Sequence, residues 1–174
     1  MERPVMTHEQ RQVLAGMAAA VALTVIALLA AYFLSKSGAD TLRLSAPEAS
    51  ALAALALVFC IGGIARKRFF HTDVIGGAAY DKPGSEVAVD KVVLQNTLEQ
   101  TVLAAVGYNG LAAVLPGIAP ALLPVLVSLF LIGRILFIAG YAKGAGGRAF
   151  GFALTFYPTV AAYAILVAAL LARL

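Results

Sequence analysis

The sequence predicts an all-α membrane protein with five transmembrane helices. Of its 174 residues, 61% are hydrophobic and 13% charged, with a mean hydropathy of +0.91, far more apolar than a soluble domain. Its apolar runs reach the roughly 20 residues that a helix needs to cross a bilayer. The cations collect beside these runs, with one exception inside them, Arg134. The net charge of +4 forms no basic stripe, so nucleic acid is not an expected partner. Cys60 is the sole cysteine, which excludes an intramolecular disulfide and a zinc set. His8 and His71 are too few and too far apart to ligate a metal, so none is expected.

Residues 1–12 are polar, and the first span is expected over 13–34. At this length it exceeds the roughly 7–15 residues of a signal-peptide core, so it reads as a retained helix. Ser45-Ala46-Pro47-Glu48 has the S-x-x-E form of a capping box, with proline in the first turn where its missing N–H does no harm. The second span runs from there to Ile64 and stops at Arg66-Lys67-Arg68. The polar connection that follows holds a turn signal, Asp81-Lys82-Pro83-Gly84, and Ser85 is the expected N-cap of a third helix beginning near Glu86. That helix ends at the uncharged turn Pro116-Gly117-Ile118-Ala119-Pro120. The fourth span is expected over 120–141 and the fifth over 149–171, where Pro158 should introduce a kink. Gly144-Ala145-Gly146-Gly147 lacks the strand and the GK[ST] of a phosphate loop and reads as a helix connector.

With five spans, Arg3, Arg11, Arg66, Lys67, Arg68, Lys82, Lys91, Lys143 and Arg148 share one side, against Lys36, Arg43 and Arg173 on the other. The positive-inside rule then makes the N-terminus cytoplasmic and the C-terminus external.

The third helix opens with Lys91-Val-Val-Leu-Gln-Asn-Thr-Leu-Glu-Gln100, where Asn96 and Glu99 share one face. A charge at the bilayer centre costs about 2.5–3.5 kcal/mol on insertion scales, so Glu99 needs a partner. Arg134 is the candidate. Glu99 lies nineteen residues before Ile118 and Arg134 sixteen after it. Across a tight antiparallel hairpin their depths would differ by only about 4.5 Å. Two readings of such a pair stand: an ion pair that orients two helices, or one wall of a polar cavity that also includes Gln95, Asn96 and Tyr141 and suits a small anionic solute. Deeper in the third span, Tyr108 and Asn109 are expected to make interhelical hydrogen bonds.

Asn96-Thr-Leu-Glu99, Gly133-Arg134, Gly140-Tyr141 and Arg148, with Arg66-Lys67-Arg68 after Gly62-Gly63, occur in an order and spacing that resemble the MAPEG family, the membrane-associated proteins of eicosanoid and glutathione metabolism. The resemblance covers roughly 48–172. It implies a four-helix membrane domain over 47–174, preceded by an additional transmembrane helix within 1–46. It also implies a homotrimer with glutathione bound between subunits near the cytoplasmic face. By the same resemblance, Arg148 would be the catalytic residue at the thiol, and Arg66, Asn96, Glu99, Arg134 and Tyr141 would hold the tripeptide. The expected activity is a glutathione-dependent transferase or peroxidase acting on lipophilic electrophiles or lipid hydroperoxides, in a bacterial inner membrane and in contact with lipid.

Departures from the family pattern argue for an alternative. Val92 and Gln95 stand where many members carry cations, and Phe137 and Phe152 replace polar or hydroxylated positions. A lost charge-assisted contact is worth about 1.5–3 kcal/mol. A non-catalytic scaffold or lipid-binding protein on the same fold is therefore the second expectation. A transporter is a weaker third, because there is no inverted repeat and little intramembrane charge.

Overall fold

The computed structural model describes residues 6–173; Arg3, counted in the charge bias, lies outside them. Five long helices form, with no strand among the described residues: α1 (His8–Lys36), α2 (Ala46–Phe70), α3 (Ala88–Val114), α4 (Ala119–Gly140) and α5 (Gly144–Leu171). By length and composition, α1, α2 and the stretch containing both α4 and α5 are apolar enough to cross a membrane. The chain is an integral membrane protein. α3 falls outside that criterion because its first half carries Asp90, Lys91, Gln95, Asn96, Glu99 and Gln100.

Local chemistry explains most helix ends. The expected capping box closes α2, with Ser45 N–H donating to Glu48 Oε2 at 2.7 Å and Glu48 N–H to Ser45 Oγ at 3.4 Å. Thr7 and Gln10 form a second box at α1. The turn at 82–85 also forms: Ser85 N–H donates to the Lys82 carbonyl at 3.1 Å, and Gly84 has φ +77°, as position i+2 of a type II turn requires. Ser85, however, does not cap α3. Its carbonyl accepts from Ala88 N–H at 2.9 Å, a further tight turn that delays the helix to Ala88. The connector expected at 144–147 is also corrected. A 3-10 turn at 141–143 leads directly into α5, which begins at Gly144.

The basic ends of α2 and α3 are tied to the connection between them. Asp81, with its side chain 2% exposed, accepts from both Arg68 and Lys91 at 3.1 Å, while Lys67 pairs with Asp90 at 2.6 Å. Beneath this clamp Ile64, Val74 and Val87 form a small apolar cluster. The main core joins α2, α3, α4 and α5 through Ala53, Tyr108, Leu111, Leu123, Leu126, Phe130 and Ala162. Asn109 makes the expected interhelical bond, donating to Ser50 Oγ at 3.1 Å. Tyr108 is instead a packed core residue, 1% exposed.

α5 packs most extensively on α4 and then on α1, whereas the hairpin neighbours α3 and α4 share a smaller face. Glycines allow the α4–α5 approach. A Cβ at Gly133 would strike Thr155 Oγ1, one at Gly140 the Gly147 carbonyl, and one at Gly151 the backbone of Phe137. Small residues at such crossings let backbones meet. Gly151→Ala is therefore expected to destabilise the protein by about 1–3 kcal/mol through overpacking, read as a lowered Tm in neutral detergent. Gly62→Ala, at a position with open space around it, should leave Tm nearly unchanged.

Candidate functional site

Arg134 is the most deeply buried cation, 1% exposed at the crossing of α3, α4 and α5. It is a neutral network that holds it. Nη1 donates to Asn96 Oδ1 at 2.8 Å and Nε to Thr155 Oγ1 at 3.0 Å. Thr155 in turn donates to the Gly151 carbonyl at 3.0 Å. The guanidinium also lies over the Phe137 ring, 4.6 Å from its centroid, which adds a cation–π contact. Nη2 finds no partner among the described residues.

The expected Glu99–Arg134 ion pair does not form within the chain. Glu99 is exposed and accepts from Gln95 Nε2 at 2.9 Å. Hairpin counting fixes depth along the membrane but not rotation about the helix. Three residues turn a helix through about 300°, which sets Glu99 about 60° away from Asn96. The buried face of α3 is Val93, Thr97, Gln100, Thr101 and Ala104. Asn96 lies at the edge of that face and Glu99 lies beyond it.

In front of this network is a cleft of about 330 Å³, lined by Asn96, Tyr141, Arg148, Val92, Phe137 and Phe152, with Val13 of α1 and Ala145 and Ala149 of α5. Three of the sequence-predicted residues, Asn96, Tyr141 and Arg148, meet here, with Arg134 directly behind Asn96. Arg148 lies over the Tyr141 ring at 4.6 Å, and Phe137 meets Tyr141 edge-on with centroids 5.4 Å apart. Arg66 and Glu99 do not line the cleft; both are exposed on outward faces of α2 and α3.

The polar groups of the cleft are mostly donors. Asn96 has committed its carbonyl oxygen to Arg134, which leaves its amide N–H groups for a ligand. Arg148 offers guanidinium N–H donors, and Tyr141 a hydroxyl that can donate or accept. Among the described residues, no carboxylate lines the wall. Such a site favours an anion or an acceptor-rich ligand with an apolar portion. The carboxylates and thiolate of glutathione fit that donor set.

Two contributors escaped the sequence reading. Thr155 is one hydroxyl in a long apolar helix, and only the close α4–α5 crossing makes it a ligand for Arg134. The first helix, expected only as an additional span, supplies part of the cleft wall through Val13. It also braces the helix that carries Arg148: Glu9 Oε1 accepts from Ala145 N–H at 3.1 Å, and Gly16 packs on Phe150. Glu9 thus caps the α5 N-terminus from another helix.

A membrane bundle with a buried arginine behind a donor-lined cleft defines the class. The MAPEG family model matches residues 46–169, and the chain belongs to the MAPEG family. The match begins where α2 does, so α1 lies outside it. Comparison with curated proteins and with solved structures finds no match.

Two substitutions probe this geometry. Asn96→Ala leaves a buried guanidinium N–H unpaired and is expected to destabilise the protein by about 1.5–3 kcal/mol, seen as a fall in Tm in detergent. Glu9→Ala removes a cap and should lower stability by about 1 kcal/mol, with faster amide exchange confined to the first turn of α5.

Proposed function

We propose that the chain is a glutathione-dependent transferase or peroxidase acting on lipophilic electrophiles or lipid hydroperoxides that reach the cleft from the bilayer. The observation that carries this reading is the meeting of Asn96, Tyr141 and Arg148 in a cleft whose remaining wall is apolar and aromatic. Its donors suit the charged tripeptide, and its rings suit a lipophilic second substrate.

In this reading Asn96 and Tyr141 orient the peptide, and Arg134 holds Asn96 in its donating orientation. Arg148 stands at the thiol. A free thiol with a pKa near 8.5 is mostly protonated at neutral pH, and an adjacent guanidinium favours the thiolate. The thiolate forms a carbon–sulfur bond with an electrophile while the leaving group departs with its electron pair. With a hydroperoxide, two glutathiones are oxidised to the disulfide while the O–O bond breaks to give alcohol and water.

The same proposal includes five crossings, with α3 as the fifth span despite its polar opening. It divides the chain into an additional helix within 1–46 and a family domain over 47–174. The N-terminus is cytoplasmic and the C-terminus external, in a bacterial inner membrane. It also includes a homotrimer. Val92, Gln95, Glu99, Val102 and Val106 form an exposed stripe at helical spacing along α3, and a carboxylate on such a face gains partners when a second α3 packs on it. Arg66 and Glu99, which do not line the cleft of their own chain, would then contribute across subunit boundaries.

A second reading is favoured by Val92, Phe137 and Phe152, which make much of the wall apolar. It is a non-catalytic protein that holds a lipid in the same cleft. Glutathione titration of the purified protein separates the two, since only the enzyme reading requires saturable binding. Membranes containing the protein are expected to conjugate 1-chloro-2,4-dinitrobenzene with glutathione. Arg148→Ala should lower that rate by about tenfold or more, the loss of one charge-assisted contact. Absence of conjugation or peroxidase activity above background, with lipid binding retained, selects the second reading.

A further inference from the structure

At the end of the bundle away from the cleft, three cations from distant parts of the chain converge on the turn between α3 and α4. Arg43 Nη2 donates to the Gly117 carbonyl at 3.4 Å, and Arg173 donates to the Val114 carbonyl. Lys36, whose ammonium is 5.9 Å from the Tyr32 ring centroid, lines a pocket of about 470 Å³ together with Arg43, Leu115 and Ile118. Capping of the turn accounts for one donor of each arginine and for none of Lys36. A guanidinium carries five donors, so most remain available. None of the three cations forms a salt bridge among the described residues, and no carboxylate lines the pocket.

Leu115 and Ile118 line a second cleft as well, of about 460 Å³, walled by Leu28, Tyr32, Leu122 and Ile165. Each cavity falls in the range of about 300–1,000 Å³ typical of ligand sites. The two meet at their shared residues, which join an apolar slot to a cationic mouth. Neither half alone specifies an occupant. Together they match an amphiphile with an anionic head and a hydrocarbon tail.

We propose that this joined cleft is a binding site for an anionic phospholipid. An acyl chain lies along Leu28, Leu122 and Ile165, and the phosphate sits at Lys36 and Arg43. A zwitterionic lipid would bring its own cation toward that mouth, so charge complementarity favours a net-negative head group. α1, the helix outside the family match, supplies Leu28, Tyr32 and Lys36. The site is therefore a property of the added helix and does not depend on the glutathione reading.

The test uses the full chain in neutral detergent, with phosphatidylglycerol or phosphatidylcholine added and bound lipid counted by native mass spectrometry. Phosphatidylglycerol should be retained preferentially and should raise Tm more than phosphatidylcholine. Inorganic phosphate alone should do neither. Each cation near an anionic lipid is worth roughly a factor of five in binding, so Lys36→Gln with Arg43→Gln should weaken phosphatidylglycerol binding by about tenfold or more, leaving phosphatidylcholine binding unchanged. Leu29→Trp, at an exposed residue of the apolar wall, should block retention of phosphatidylglycerol at this site. If the double variant does not fold, Lys36→Gln alone serves, because its side chain makes no protein hydrogen bond among the described residues. Equal retention of the two lipids by the wild type, a preference that survives these substitutions, or stabilisation by phosphate alone would each overturn the proposal.

Discussion

A full positive charge inside a membrane bundle dominates this structure. Arg134 is buried, so its guanidinium must find its partners inside the bundle. The side chain is met by an amide from α3, a hydroxyl from α5 and an aromatic face from α4 itself. Because Asn96 is on α3, Thr155 on α5 and Arg134 on α4, the network sets the relative rotation of three helices. Hydrophobic burial cannot do that in a bilayer, where lipid tails are as apolar as a leucine surface.

The glycine crossing and the arginine network depend on each other. Thr155 reaches Arg134 because α4 and α5 approach at Gly133 and Gly151, with no side chain between them. The cleft is a consequence of both. Asn96 is turned so that its oxygen faces inward and its N–H groups are left over, while Arg148 at the start of α5 is brought against Tyr141 at the end of α4. Cation, amide and ring thus reach one wall from three separate segments. The added helix contributes Val13 to that wall and caps the α5 N-terminus through Glu9.

Charge distribution also separates the two ends of the bundle. At one end, Asp81 of the long connection pairs with Arg68 and Lys91, and Asp90 of α3 with Lys67. At the other, Lys36, Arg43 and Arg173 are without acidic partners among the described residues and gather at one turn. The first arrangement consumes its cations in structure. The second leaves donors directed at whatever occupies the membrane surface there.

Composition, apolar run length and the position of cations were enough to determine an all-helical membrane protein, and local motifs the α2 capping box and the turn at 82–85, because these depend on local chemistry or on hydropathy summed along the chain. The family came from the resemblance of short motifs in their order and spacing. Three residues of the cleft were legible as well, Asn96 and Tyr141 as polar groups near Arg134 and Arg148 through the family resemblance. The pairing of Glu99 with Arg134 was not. Counting from the turn gives height in the bilayer, whereas contact also requires azimuth, and azimuth is set by which faces of α3, α4 and α5 pack together. Only the tertiary structure decided that Asn96 and Thr155 meet the arginine, that Glu99 faces outward, and that the first helix lines the site, because each of these depends on helix rotations that no single segment encodes.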